Sequence, residues 1–314
     1  MHPPSDTVRQ HPDGPRGPAL LEHLRTHPDA VPGAVNLDGC GLRELPAAIG
    51  ARADLARLSA YDNALEALPG WLWGQRELRV LNLSANRLSA LPAGLGDLTR
   101  LEMLDLGHNA LTELPGALGG LRELRFLYLS NNRLTALPQA LRHLKALGYL
   151  NVTDNPLGEL PDWLGELDGL RELRAYGTGL TALPAGIGGL PALRELYLMN
   201  NRLSALPPEL TACARLQELD LQNNALTALP DQIGRLGALT RLNLRFNGLT
   251  ALPESLAELT ELRFLDLRAN ALTTLPEGVA DLPRLEKLDL RWNRLKRLPA
   301  AFDRLRERGC LVYL

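Results

Sequence analysis

His23 and His27 are four residues apart, the spacing that puts two imidazoles on one helical face within reach of a shared metal ion. They bring no further ligand in their pattern, so incidental surface histidines are the favoured reading and no metal is assigned. Cys40, Cys213 and Cys310 are too few and too scattered for a disulfide framework or a zinc knot. Cys213 stands where other units carry a buried leucine, Cys40 stands at an asparagine position, and Cys310 is expected to be the more accessible thiol. No phosphate loop of the form G-x-x-x-x-G-K-S/T, no G-x-S-x-G elbow, no H-E-x-x-H and no C-x-x-C occurs. His108 has no visible base or nucleophile beside it. No catalytic residue and no cofactor follow, and an enzyme is not expected.

The spacings that do recur suit binding. Glu172, Glu195 and Glu218 are 23 residues apart, and so are Arg245, Arg268 and Arg291. Val80, Met103, Phe126 and Tyr149 share that interval. Stacked carboxylates, stacked guanidiniums and an apolar row are the materials of a protein interface. Some element must hold them in line.

Composition says how. About one residue in four is leucine, while aromatics are only 4%, so leucine supplies the core. The 34 basic and 36 acidic residues leave a formal charge of -2, which argues against a general nucleic-acid binder. No apolar run approaches the roughly 18 residues of a membrane span. The start, MHPPSDTVRQHPDGPRGP, has no apolar signal core, and residues 1–17 read as a disordered tail.

Twelve prolines from Pro46 to Pro299 fall every 23 residues, and a fixed period in this range means a solenoid. The unit is LxxLxLxxNxLxxLPxxLxxLxx. Eleven full units start at Leu55, a degenerate one precedes them at about 32–54, and CLVYL follows. Alternating leucines predict a short strand with Leu127 and Leu129 inward and Phe126, Tyr128 and Ser130 outward. The asparagine that follows is expected to satisfy main-chain groups in the turn. Leucines three apart after Leu-Pro predict a short helix or 3₁₀ turn on the opposite side.

A unit such as LRVLNLSANRLSALPAGLGDLTR at 78–100 resembles the 23-residue class of leucine-rich repeat, and the likeness covers about 32–314. Within the class it is similar to intracellular Ras-suppressor, plant Ras-group-related and bacterial repeat proteins. The resemblance implies an α/β solenoid: a right-handed horseshoe with a parallel concave sheet and short helices or 3₁₀ turns outside. It implies binding of a protein partner, with a small-GTPase scaffold as an alternative; a secreted bacterial effector, whose N-terminal tail directs export, is a further alternative. A cytoplasmic monomer is expected, with 18–31 as a capping helix before the repeat domain at 32–314.

The outward strand positions are the third, fifth and seventh of each unit. Half of the chain's aromatics (Phe 4, Tyr 6, Trp 4) fall there. The partner-binding candidates are Met103, Phe126, Tyr128, Tyr149, Tyr176, Tyr197 and Met199, with Arg245, Arg268 and Arg291 steering. Asp266 and Asp289 are placed to neutralise two of the arginines, and Arg171, Arg174 and Arg194 to relieve the glutamates. Residues 284–308 carry nine Lys or Arg against four acids, a net of +5, which reads as a polar end cap. Phe246 and Trp292, just before their asparagines, are expected to serve packing. Phe302, Leu305, Leu311 and Tyr313 are expected to close the last coil. Ala175 and Thr178 depart from the pattern and predict a repacked coil.

Overall fold

The computed structural model describes residues 17–27, 31 and 33–314. The expected tail at 1–17 lies outside them except for Gly17, which is ordered: its N–H donates to the Asn36 carbonyl at 3.0 Å. Helix α1 (Pro18–Thr26) follows, with proline in the first turn. It buries Leu20 and Leu24 against the first coil.

Among the described residues thirteen strands form one parallel sheet in chain order. They are β1 (Ala34–Asn36), β2 (Arg57–Ser59), β3 (Val80–Asn82), β4 (Met103–Asp105), β5 (Phe126–Tyr128), β6 (Tyr149–Asn151), β7 (Glu172–Arg174), β8 (Glu195–Tyr197), β9 (Glu218–Asp220), β10 (Arg241–Asn243), β11 (Phe264–Asp266), β12 (Lys287–Asp289) and β13 (Leu311–Tyr313). Each strand contributes one central leucine or valine, and these pair in register, as Leu104 with Leu127 and Leu127 with Leu150. Leu124, Leu127, Leu129 and Leu134 of one coil have no exposed surface. Burying a leucine stabilises by roughly 1.5–3 kcal/mol before chain entropy is charged against it.

Each proline carbonyl then starts a 3₁₀ turn. In the turn Gly116–Gly120 the Leu118 N–H donates to the Pro115 carbonyl at 3.1 Å. These turns stack along the side opposite the sheet. Two glycines there admit tryptophan from the next or preceding coil: a Cβ on Gly50 would lie 2.7 Å from Trp71, and one on Gly94 2.6 Å from Trp73.

The asparagines do what the turn requires. Asn132 donates to the Leu106 and Leu129 carbonyls at 2.9 and 3.0 Å and accepts from the Leu111 N–H at 3.0 Å, tying two coils together. Asn86, Asn109, Asn155, Asn224, Asn247 and Asn270 repeat the pattern. At Thr178 the hydroxyl donates to the Ala175 carbonyl at 2.8 Å, and the Leu157 N–H turns to the Asn155 carbonyl at 2.8 Å. Ala175 and Thr178 are fully buried in this repacked coil.

Two further regularities belong to the unit. At the fifth position an Asn or Asp accepts the N–H two residues on: Asn82 from Ser84 at 3.0 Å, Asp105 from Gly107 at 2.9 Å, Asp220 from Gln222 at 3.0 Å. This is an Asx turn closing the strand. The residue before each asparagine is left-handed, with φ between +52° and +63° at ten non-glycine positions, from Asp62 to Trp292. Gly39 and Gly177 hold the same place.

The C-terminal cap differs from expectation. Phe302 and Leu305 are fully buried, the latter in α2 (Asp303–Glu307). Leu311 and Tyr313 are 56% and 39% exposed, because β13 is the edge strand of the sheet among the described residues. Cys310 is buried, not accessible; burial pushes its thiol pKa up.

Candidate functional site

The third-position row is continuous. Val80, Met103, Phe126 and Tyr149 are successive register partners on β3 to β6. Phe126 is 38% exposed and Met103 half-buried, but Tyr149 is only 5% exposed. It is not a free anchor, because its neighbours cover it. The Tyr128 ring lies 4.7 Å from its ring, the Phe126 ring 6.4 Å, and the Arg174 guanidinium 5.9 Å.

Arg174 is the centre of this cluster. It stacks on Tyr197 at 4.8 Å and pairs with Glu172 at 2.6 Å. The Tyr197 hydroxyl donates to Glu195 at 2.8 Å. Burial, with the neighbouring carboxylates, pushes Tyr128 up to about 12 and raises Tyr149 and Tyr197 too, so all three stay neutral hydroxyls. Burial also raises the Glu172 carboxyl, against the bond from Arg174, and Glu195 adds to the rise. Tyr176 and Met199 sit half-buried at the seventh position beside this group.

Tyr128, Arg174 and Tyr197 occupy the fifth position, where β3, β4, β6, β9, β10, β11 and β12 carry Asn or Asp. In three of the four coils from β5 to β8 the residue that serves the backbone is gone, and a large side chain stands on the open face.

Residues 76–134, 191–249, 214–272 and 237–295 match the family model described as leucine rich repeat, and 116–205 match a leucine-rich repeat region model. The chain belongs to the leucine-rich repeat family. A search of curated protein sequences finds no match. Among solved structures, this leucine-rich repeat protein is similar to one from Leptospira interrogans at 26% identity, covering 94% of this chain and 98% of that one with a TM-score of 0.56. It is similar to the ectodomain of the plant membrane receptor kinase GASSHO1/SCHENGEN3 from Arabidopsis thaliana, solved in complex with CASPARIAN STRIP INTEGRITY FACTOR 2, at 30% identity and TM-score 0.58, covering 90% of this chain and 42% of the receptor. An internalin from Listeria monocytogenes shares the fold at 19% identity and TM-score 0.66, over 89% and 87% of the two chains.

The charged rows of the repeat are largely self-neutralised. Glu172, Glu195 and Glu218 are register neighbours. Arg174 relieves the first, while Arg241, not Arg171 or Arg194, lies 3.4 Å from Glu218. Arg268 is 2.5 Å from Asp266 and 3.5 Å from Asp289, and Arg291 is 2.7 Å from Asp289. Arg245 has no ion pair among the described residues, and its Nε has no partner.

Phe246 and Trp292 do not serve packing. They are 45% and 67% exposed, with φ of +55° and +63°. The preceding arginine lies over each ring, at 5.3 Å for Arg245 and 5.7 Å for Arg291. Sequence reasoning missed this because the left-handed place carries varied residues.

The remaining reactive groups among the described residues of the leucine-rich repeat chain do not gather into a metal site. His23 and His27 stack ring on ring at 4.9 Å. Among the described residues no group of three or more His, Cys, Asp or Glu is placed to hold a metal. Burial pushes the Cys213 thiol up to about 11, and its sulfur faces the Ile187 carbonyl at 3.3 Å. No described helix is long and apolar enough to cross a membrane.

Proposed function

We propose that this protein is a non-catalytic interaction module that binds a protein partner on its concave face, over the coils of β4 to β8. The observation that carries this reading is the replacement of backbone-serving Asn or Asp by Tyr128, Arg174 and Tyr197 in three of the four coils from β5 to β8, with Asn151 between them keeping its Asx turn. The Asx turns lost there cost local stability, and interface side chains are what they are exchanged for. The stacked core fixes these groups before binding, so little ordering entropy opposes association. Met103, Phe126, Tyr128, Tyr176, Tyr197 and Met199 form the contact surface, and Tyr149 props Phe126 and Tyr128 from beneath. A cytoplasmic monomer is part of the proposal, supported by the likeness to intracellular repeats and the free thiols of Cys40, Cys213 and Cys310.

The test is affinity capture followed by mass spectrometry, with wild type beside a Met103→Asp, Phe126→Asp variant. Phe126 is exposed and Met103 lies half-buried on the open face, outside the leucine core, so the variant is expected to fold and to lose the proteins that wild type retains. The same retained set from both proteins would end the concave-face reading.

A further inference from the structure

Aromatic side chains at the left-handed place are costly. For a bulky residue, positive φ is a true outlier, worth on the order of 1–3 kcal/mol, and such strain gathers at functional positions. Elsewhere the row holds Asp62, Ala85, His108, Asn131, Asp154, Asn200, Asn223 and Ala269, residues that are small or of types enriched in this backbone region. Phe246 and Trp292 bear the strain and also lie open to solvent, so neither folding nor core burial accounts for them.

Side chains of this row are neighbours along the sheet. The Asn223 amide donates to the Asn200 side chain at 2.9 Å, and Asn131 reaches His108 at 3.5 Å. Phe246 and Trp292 are two steps apart, about 10 Å at the parallel-strand spacing. Ala269 stands between them with the same backbone and no ring. The two aromatic residues thus flank a position whose own side chain is a single methyl.

The surroundings are basic. Arg245 and Arg291 lie on the two rings, and Lys287 stacks on Tyr313 at 5.4 Å. Arg294, Lys296 and Arg297 follow, exposed and without an ion pair among the described residues. Asp266 and Asp289 sit among the arginines at the strand level. A continuous row of phosphates would meet these carboxylates, whereas a protein segment with spaced acidic groups would not.

We propose that Phe246 and Trp292 are the walls of a second docking surface, separate from the concave centre, that takes an extended acidic protein segment with one apolar side chain seated between the rings.

The test is selection of displayed random dodecapeptides on wild type, with a Phe246→Asn, Trp292→Asn variant as the counter-target. Asparagine is the residue that Asn131, Asn200 and Asn223 place here, so the variant is expected to melt at the same temperature or higher. Peptides that prefer wild type are expected to be acidic with an apolar residue inside. By fluorescence anisotropy they should bind the variant at least about tenfold more weakly, and bind wild type more weakly as salt rises. They should bind the Met103→Asp, Phe126→Asp variant as well as they bind wild type, which separates this surface from the concave one. The proposal is overturned by an empty or non-acidic selection, by equal binding to the asparagine variant, or by a lower melting temperature of that variant. It is also overturned by loss of binding in the concave-face variant, or by a twelve-nucleotide oligothymidine that binds wild type more tightly than the peptides do.

Discussion

Asp289, which has no exposed surface, holds Arg291 at 2.7 Å and has Arg268 at 3.5 Å on its other side. The arginines that the sequence offers for steering are therefore fixed from below. Burial works to raise the Asp289 carboxyl, and the bonds and charges of Arg291 and Arg268 more than offset it, so its pKa lies below the ordinary value. A carboxyl depressed in the folded state adds stability above its unfolded pKa and loses it as pH falls through the folded one. Asp289→Ala is expected to lower unfolding free energy at pH 7 by about 1–2 kcal/mol. The variant should also be less sensitive than wild type to acid below the ordinary carboxylate range. Urea titrations at a series of pH values measure both; an unchanged midpoint at pH 7 contradicts the expectation.

Asp105 and Asp220 carry the opposite sign. Burial raises both carboxyls despite the N–H each accepts, from Gly107 and Gln222. Each takes up a proton more readily folded than unfolded, so stability falls as pH rises from the ordinary carboxylate value through the raised one. Asp105→Asn keeps the acceptor and removes the charge, as Asn82 does one coil earlier. It is expected to raise the melting temperature at pH 7 and to leave it unchanged below the carboxylate range. A decrease at pH 7 would mean that the charge itself is needed.

Gln75 stands where later coils place Leu98, Leu121 and Leu144. It is 2% exposed and its Oε1 has no hydrogen-bond partner. Gln75→Leu removes an unsatisfied acceptor and adds apolar burial, for a gain of about 1–2 kcal/mol by denaturant unfolding.

Asn132 serves four main-chain groups across two coils. Asn132→Ala leaves the Leu111 N–H without its acceptor, while the Leu106 and Leu129 carbonyls keep the amides of Asn109 and Asn155, and is expected to cost about 1–3 kcal/mol. Hydrogen exchange at the Leu111 amide should quicken. Asn132→Thr should recover only part of the loss: at Thr178 the threonine works because the Leu157 N–H finds the Asn155 carbonyl instead.

The period carried the architecture. Proline spacing, alternating leucines and the asparagine predicted strand, turn and 3₁₀ segment, and the register pairs fall where the 23-residue interval put them. Burial along the open face was not legible, because it depends on which side chain leans on which. Tyr149 disappears under Tyr128 and Arg174, an event that spans three coils. The fifth-position Asn and Asp were in plain view as a spacing, yet their Asx turn shows only once the backbone is known. The left-handed place was hidden for another reason: apart from Gly39 and Gly177 no residue there announces its φ, and Phe246 and Trp292 passed for packing.

The left-handed row has a consequence for change over time. At Asp62, Ala85, His108 and Phe246 the N–H donates to a carbonyl of the following coil, at 2.8 to 3.1 Å, whatever the side chain is. The main chain sets the shape of each socket, and side chains of several kinds fit it, the bulky ones at a cost in backbone strain. Acidic, amide, imidazole, methyl and aromatic groups already stand there in one molecule. One codon at such a place rewrites a point on the rim and leaves every core leucine untouched, so the rim can drift toward a new partner while the stack beneath stays as it is.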